Sequence, residues 1–97
     1  MKARFITYNQ SLTGLVQTVL DKHSVRGYSQ WIDVRGRGSV KGIPREGTHT
    51  WPELNNAHIV MVEDEKVAPI LANLKEINKE YEQHGLRAFV WNIEDSI

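Results

Sequence analysis

Apolar and polar positions alternate along Lys2–Asn9, a run rich in Phe, Ile, Thr and Tyr, and this period of two predicts a first strand. Leu12, Leu15, Val16, Val19 and Leu20 then recur at spacings of three and four, which predicts an amphipathic helix capped by Asn9 or Ser11 and ending near His23. After a turn at Arg26-Gly27, residues 28–35 alternate again, with Tyr28, Ile32 and Val34 assigned to one side and Trp31 to the other. Residues 36–56 show no sustained period and are punctuated by Gly and Pro, so they read as one long loop. The apolar run 57–63 is too short for a helix and predicts a third strand. Asp64 is expected to cap a second helix, whose Val67, Ile70, Leu71, Leu74, Ile77 and Tyr81 form its apolar stripe. Gly85 closes that helix, and 86–94 reads as a fourth strand.

The order β-α-β-β-α-β predicts an α+β, ferredoxin-like fold: a four-stranded antiparallel sheet with two helices on one face, occupying residues 1–97 as a single domain. Helices on one face leave the other bare. Yet apolar residues stand at both parities of the strands, as in Phe5 and Ile6, Trp31 and Ile32, Val60 and Met61, or Phe89 and Val90. A second apolar face in so short a chain predicts burial against further copies, hence a homo-oligomer.

Twelve basic and twelve acidic side chains balance, which excludes a general nucleic-acid binder, and no apolar run is long enough to insert into a membrane. Any anion site must be local. Without cysteine there is neither a disulfide framework nor a thiolate metal site, and a cytoplasmic protein is expected. The candidate chemistry lies where the second strand ends, in Gly36, Arg37, Gly38, Ser39, Lys41 and Gly42. Glycines allow close backbone approach while the cations supply charge, a combination suited to phosphate. Neither the dinucleotide fingerprint nor the Walker pattern fits, because no helix follows the glycines. His49, with Glu46, Glu53 and His58, forms an alternative set of nitrogen and oxygen ligands for a divalent metal. Trp51, fixed by Pro52, is expected to anchor the return of the loop. No Ser-His-Asp or paired-carboxylate arrangement can be placed, so an enzyme is not expected; a small enzyme working in a cleft between subunits ranks last.

The element order, the Val25-Arg26-Gly27-Tyr28 turn, the Gly36 to Gly42 stretch and the closing Phe89-Val90-Trp91-Asn92-Ile93-Glu94-Asp95 together resemble the PII signal-transduction superfamily. Gly36, Gly38, Lys41 and Gly42 reproduce the Gly-x-Gly-x-x-Lys-Gly sequence at the base of that family's T-loop. The resemblance implies a homotrimeric regulatory protein whose clefts between subunits bind an adenine nucleotide (ATP, ADP or AMP). Gly36, Arg37, Gly38, Ser39, Lys41, Gly42 and Arg87 would line the site, and loop 36–56 would contact a regulated partner. Ser39-Val40 replaces the family's Arg-Gln, which implies loss of 2-oxoglutarate sensing, and the absence of a loop tyrosine removes the uridylylation site. Gln83-His84-Gly85-Leu86-Arg87 shortens the family's phosphate loop, leaving Arg87 in place of its lysine, and the family's C-terminal arginines have no counterpart before Ile97. The metal set instead resembles CutA-like trimers of related fold.

Overall fold

The computed structural model describes residues 1–37, 46–47 and 53–97. Its elements run β1 (Lys2–Asn9), a 3-10 turn (Gln10–Leu12), α1 (Thr13–Lys22), β2 (Tyr28–Val34), β3 (Asn55–Val62), α2 (Asp64–Glu80), a second 3-10 turn (Glu82–His84) and β4 (Arg87–Asn92). Among the described residues the four strands form one antiparallel sheet in the order β2-β3-β1-β4, with β1 and β3 central. This is the expected ferredoxin-like arrangement.

The pleat sorts β1 into two sets. Arg4, Ile6 and Tyr8 are fully buried on the face that the helices cover, in register with Val60, His58 and Asn56 of β3 and with Val90 and Ala88 of β4. Against them pack Val16, Val19 and Leu20 of α1 and Ile70, Leu74 and Ile77 of α2. Leu15 departs from the predicted stripe: it stands at the margin of the helix's buried arc and stays 40 % exposed. Asp64 is not the cap of α2 either. Glu63 takes that position without a side-chain bond, while Asp64, the first helical residue, pairs with the N-terminal amine at 2.9 Å. That amine holds the Asp64 carboxyl below its ordinary range, first through a hydrogen bond and then through charge.

The opposite face of the sheet has no helix on it. Phe5 lies in register between Ile59 and Phe89, and the small Ala3 between Met61 and Trp91, so the larger side chains stand proud of the sheet. Trp31, Met61, Phe89 and Trp91 are each about half exposed, at 50 %, 49 %, 57 % and 46 %. A bulge corrects the predicted parity of β2. Between Trp31, opposite Ala57, and Val34, opposite Asn55, one extra residue is accommodated, so Val34 shares the open face with Trp31 rather than the covered face with Tyr28.

Candidate functional site

Beside the edge strand β2 the structure forms a cleft of about 560 Å³, lined among others by Arg26, Tyr28, Ser29, Met61, Glu63 and Lys66. Local chemistry explains its wall. The helix α1 ends at His23, whose Nε2 lies 2.6 Å from Asn73 Oδ1 of α2, and Ser24 then takes a left-handed conformation with φ of 59°. The Val25 N–H donates back to the Leu20 carbonyl at 2.8 Å, and the Val25 side chain is buried. This left-handed closure turns the chain sharply into β2. The turn's special backbone position is therefore Ser24, whereas Gly27 keeps an ordinary φ and faces open space. Arg26 and Lys66, offset in part by Glu63, leave the cleft one positive charge in excess beside the apolar Met61 and Ile59, a mixture suited to an apolar ring carrying anionic groups. Sequence reading missed this cleft because its residues come from two segments more than thirty positions apart. The signals were the Val25-Arg26-Gly27-Tyr28 turn, singled out for its resemblance rather than as a site, and the share of apolar residues at both parities of β2 and β3.

The predicted anion-site residues fall into three groups. Gly36 and Arg37 follow β2 and, with Arg35 and Glu46, line a separate shallow depression of about 580 Å³. Gly36 packs on the loop's return, since a Cβ there would sit 3.5 Å from Asn55 Nδ2. The two limbs of the loop also meet where the Gly47 N–H donates to the Glu53 carbonyl at 3.4 Å. Leu54 lies 3.0 Å from the position a Gly47 Cβ would take, and with φ of 68° any side chain there would be strained. Gly38, Ser39, Lys41, Gly42, His49 and Trp51 lie outside the described residues. Arg87 opens β4 in register with Thr7, is exposed, and donates from Nη1 to the Leu86 carbonyl at 2.9 Å. The strands β2 and β4 are the two edges of the sheet. Three strand spacings, roughly 14 Å, separate them, so Arg37 and Arg87 do not converge within one chain.

Of the alternative metal set, Glu46, Glu53 and His58 are described, and His49 lies outside the described residues. Among the described residues no group of three His, Asp or Glu side chains could hold a metal ion. His58 is fully buried on the covered face of β3, its Nδ1 2.9 Å from the Tyr8 hydroxyl and its ring edge-on to Tyr28 at 5.0 Å. Glu53 is exposed at the loop, away from that face. Burial pushes the His58 imidazole below its ordinary value, and its Nε2 has no partner among the described residues. The unfolded chain therefore takes up a proton near pH 6.5 that the folded chain refuses. Stability is expected to be flat above about pH 6.5 and to fall as pH drops below it, by at most about 1.4 kcal/mol per pH unit from this residue. Urea melts at pH 7.5 and 5.5 check this: in His58→Phe the dependence between those values should shrink, and an unchanged dependence would assign it elsewhere.

No protein-family model matches the chain, and no curated protein matches it in sequence. Solved structures do. CPII from Thiomonas intermedia K12, bound to ADP and bicarbonate, superposes with a TM-score of 0.76 at 24% identity, over 95% of this chain and 84% of that one. The same CPII, a nitrogen regulatory PII-like protein, bound to ADP, AMP and bicarbonate, gives a TM-score of 0.75 at 23% identity over 95% and 90%. A Thermus thermophilus protein described as PII-like and signaling gives 0.67 at 22% over 95% and 85%. The chain has the PII-like fold. In that PII-like frame the cleft beside Tyr28 and the loop base at Gly36 lie along one edge strand, and Arg87 lies on the opposite edge. Among the described residues no helix is long and apolar enough to cross a membrane.

Proposed function

We propose that this chain is a PII-like regulatory protein of the cytoplasm that assembles as a homotrimer and binds an adenine nucleotide in clefts between subunits. Its 36–56 loop contacts a protein partner. The observation that carries this reading is an uncovered apolar sheet face bordered by a cleft with two cations, within a fold shared with a protein solved with ADP and AMP. The apolar face needs a cover, and three copies packed face to face supply it. Such packing brings the β4 edge of one copy toward the β2 edge of the next. Arg87 of a neighbouring copy then joins Arg26 and Lys66, and Gly36, Arg37, Gly38, Ser39, Lys41 and Gly42 approach the phosphates from the loop. The base lies against Tyr28 and Met61, where an aromatic and a flexible thioether accept a flat ring. Ligand occupancy shifts the loop between arrangements that present or withhold a surface to the partner.

Calorimetric titration with ATP, ADP, AMP and cyclic dinucleotides tests the nucleotide assignment, and an absence of heat and of thermal stabilisation with all of them would refute it. Arg26→Ala and Arg87→Ala are each expected to weaken binding about tenfold or more, since each removes a charge-assisted hydrogen bond worth about 1.5–3 kcal/mol. Unchanged affinity in both would move the site away from this cleft.

A further inference from the structure

The edge strand β2 advances three residues, from Trp31 to Val34, while β3 advances two, from Ala57 to Asn55. The extra residue is absorbed at Asp33, whose φ of 62° lies in the left-handed region. Aspartate tolerates that region better than most residues but at a cost in free energy. Side chains from three other places hold it there. The Asp33 N–H donates to Asn56 Oδ1 at 3.2 Å, and Gln10 Nε2 donates to the same oxygen at 3.1 Å and also to the Asp33 carboxylate. Asn56 Nδ2 donates to Thr13 Oγ1 at 3.0 Å, and the Thr13 hydroxyl in turn donates to the Gln10 carbonyl at 2.7 Å. Asn56 is only 6 % exposed, so the bonds it makes are partly sheltered from competing water, whereas the Gln10–Asp33 bond is exposed. The Gln10 N–H donates to the Leu54 carbonyl at 3.1 Å, which ties the cluster to the returning limb of the loop.

The bulge decides the face on which everything after it stands. With the extra residue present, Val34 and Gly36 take the open face, Gly36 beside Asn55, and Arg35 takes the other. Without it, Asp33 would stand opposite Asn55 and each following side chain would change face. The two registers share the same strands and differ by one left-handed residue and a handful of side-chain bonds, a modest difference that a change in those bonds can reverse.

We propose that the β2 bulge is a two-position switch latched by the Gln10–Asn56–Thr13 cluster, and that it sets the face on which Arg35 and Arg37 are presented. Anything that draws Gln10 or Asn56 away releases Asp33, and Arg35, Gly36 and Arg37 change face with it. The switch needs neither a nucleotide nor a particular oligomer.

Solution NMR of the full chain reads the register directly through interstrand nuclear Overhauser contacts. The wild type should show Val34 opposite Asn55. Asn56→Leu keeps the branching and heavy-atom count and removes the latch, and Asp33→Val adds a β-branched residue that rejects the left-handed conformation. Each is expected to give contacts between residue 33 and Asn55, with the shifted form rising to roughly a tenth of the population or more, a level typical of a populated minor state. Should Asn56→Leu fail to fold, Gln10→Ala, at the less buried end of the cluster, decides in its place. Retention of the Val34–Asn55 contact alone in both Asp33→Val and the latch variant would overturn the switch.

Discussion

Arg4→Met is expected to stabilise the protein by about 1–4 kcal/mol, because it removes a buried cation that has no anionic partner. Arg4 sits mid-strand in β1 on the helix-covered face and is fully buried. One nitrogen, Nη2, donates to the Val67 carbonyl in the first turns of α2 at 2.8 Å. Its Nε and Nη1 have no partner among the described residues, and burial pushes the guanidinium pKa down. A typical neutral hydrogen bond returns about 1 kcal/mol, whereas the effective penalty for desolvating a cation is several kcal/mol, so one bond to a carbonyl does not offset the burial. Methionine follows the aliphatic stem and leaves no polar atom behind. For a chain of this size each kcal/mol moves the melting midpoint by roughly 4–8 °C, so the gain is readable by calorimetry at fixed protomer concentration. Arg4→Ala should act in the opposite sense through the cavity it opens. A lower midpoint for Arg4→Met would mean that the guanidinium is satisfied by something bound to the protein in solution.

Phe89→Glu is expected to abolish the oligomer while leaving the subunit folded. Phe89 is 57 % exposed and stands on the edge strand β4 opposite Phe5, in a row that continues through Ile59 to Ser29 across the uncovered face. In an isolated subunit a carboxylate there is hydrated and costs little. At an interface between copies it would have to be desolvated once per subunit opposite the apolar Phe5, with Arg87 two residues along the same face its nearest cation in the strand, a cost that one such neighbour offsets only in part. Sedimentation equilibrium at micromolar concentration should show a trimer for the wild type and a monomer for the variant, both with the same far-ultraviolet circular dichroism. If Phe89→Glu keeps the wild-type mass, this face is not the interface. A monomeric wild type would remove the trimer reading altogether.

How much of this was legible in the chain depends on the range over which each feature is decided. The alternation in Lys2–Asn9 and the stripes of α1 and α2 are local properties of the pattern, and the elements formed within a few residues of their predicted ends. Even the bare apolar face announced itself, through Phe5 beside Ile6 and Val60 beside Met61. The parity of β2 was not legible, because Asp33 leaves the strand conformation only where Asn56 and Gln10 arrive from elsewhere to bond it. The sharp turn before β2 looked like the work of Gly27, and the structure gave the left-handed position to Ser24. His58 could be read as a ligand or as a packed residue, and the Tyr8 hydroxyl places it in the core.

The site divides in the same way. Composition and spacing could mark Gly36 and Arg37 as residues of the right chemistry, and the family resemblance added Arg87. Only the strand order shows that Arg37 and Arg87 stand at opposite edges of the sheet, so that a shared site requires two copies. The sequence by itself determined the element order, the covered and uncovered faces and the residue types available to an anion, since all of these follow from short-range periodicity and side-chain chemistry. The cleft beside Tyr28, the unpaired Arg4 and the latched bulge were decided by tertiary structure. Each depends on which distant residues the antiparallel register brings together, and the sequence pattern alone does not encode that register.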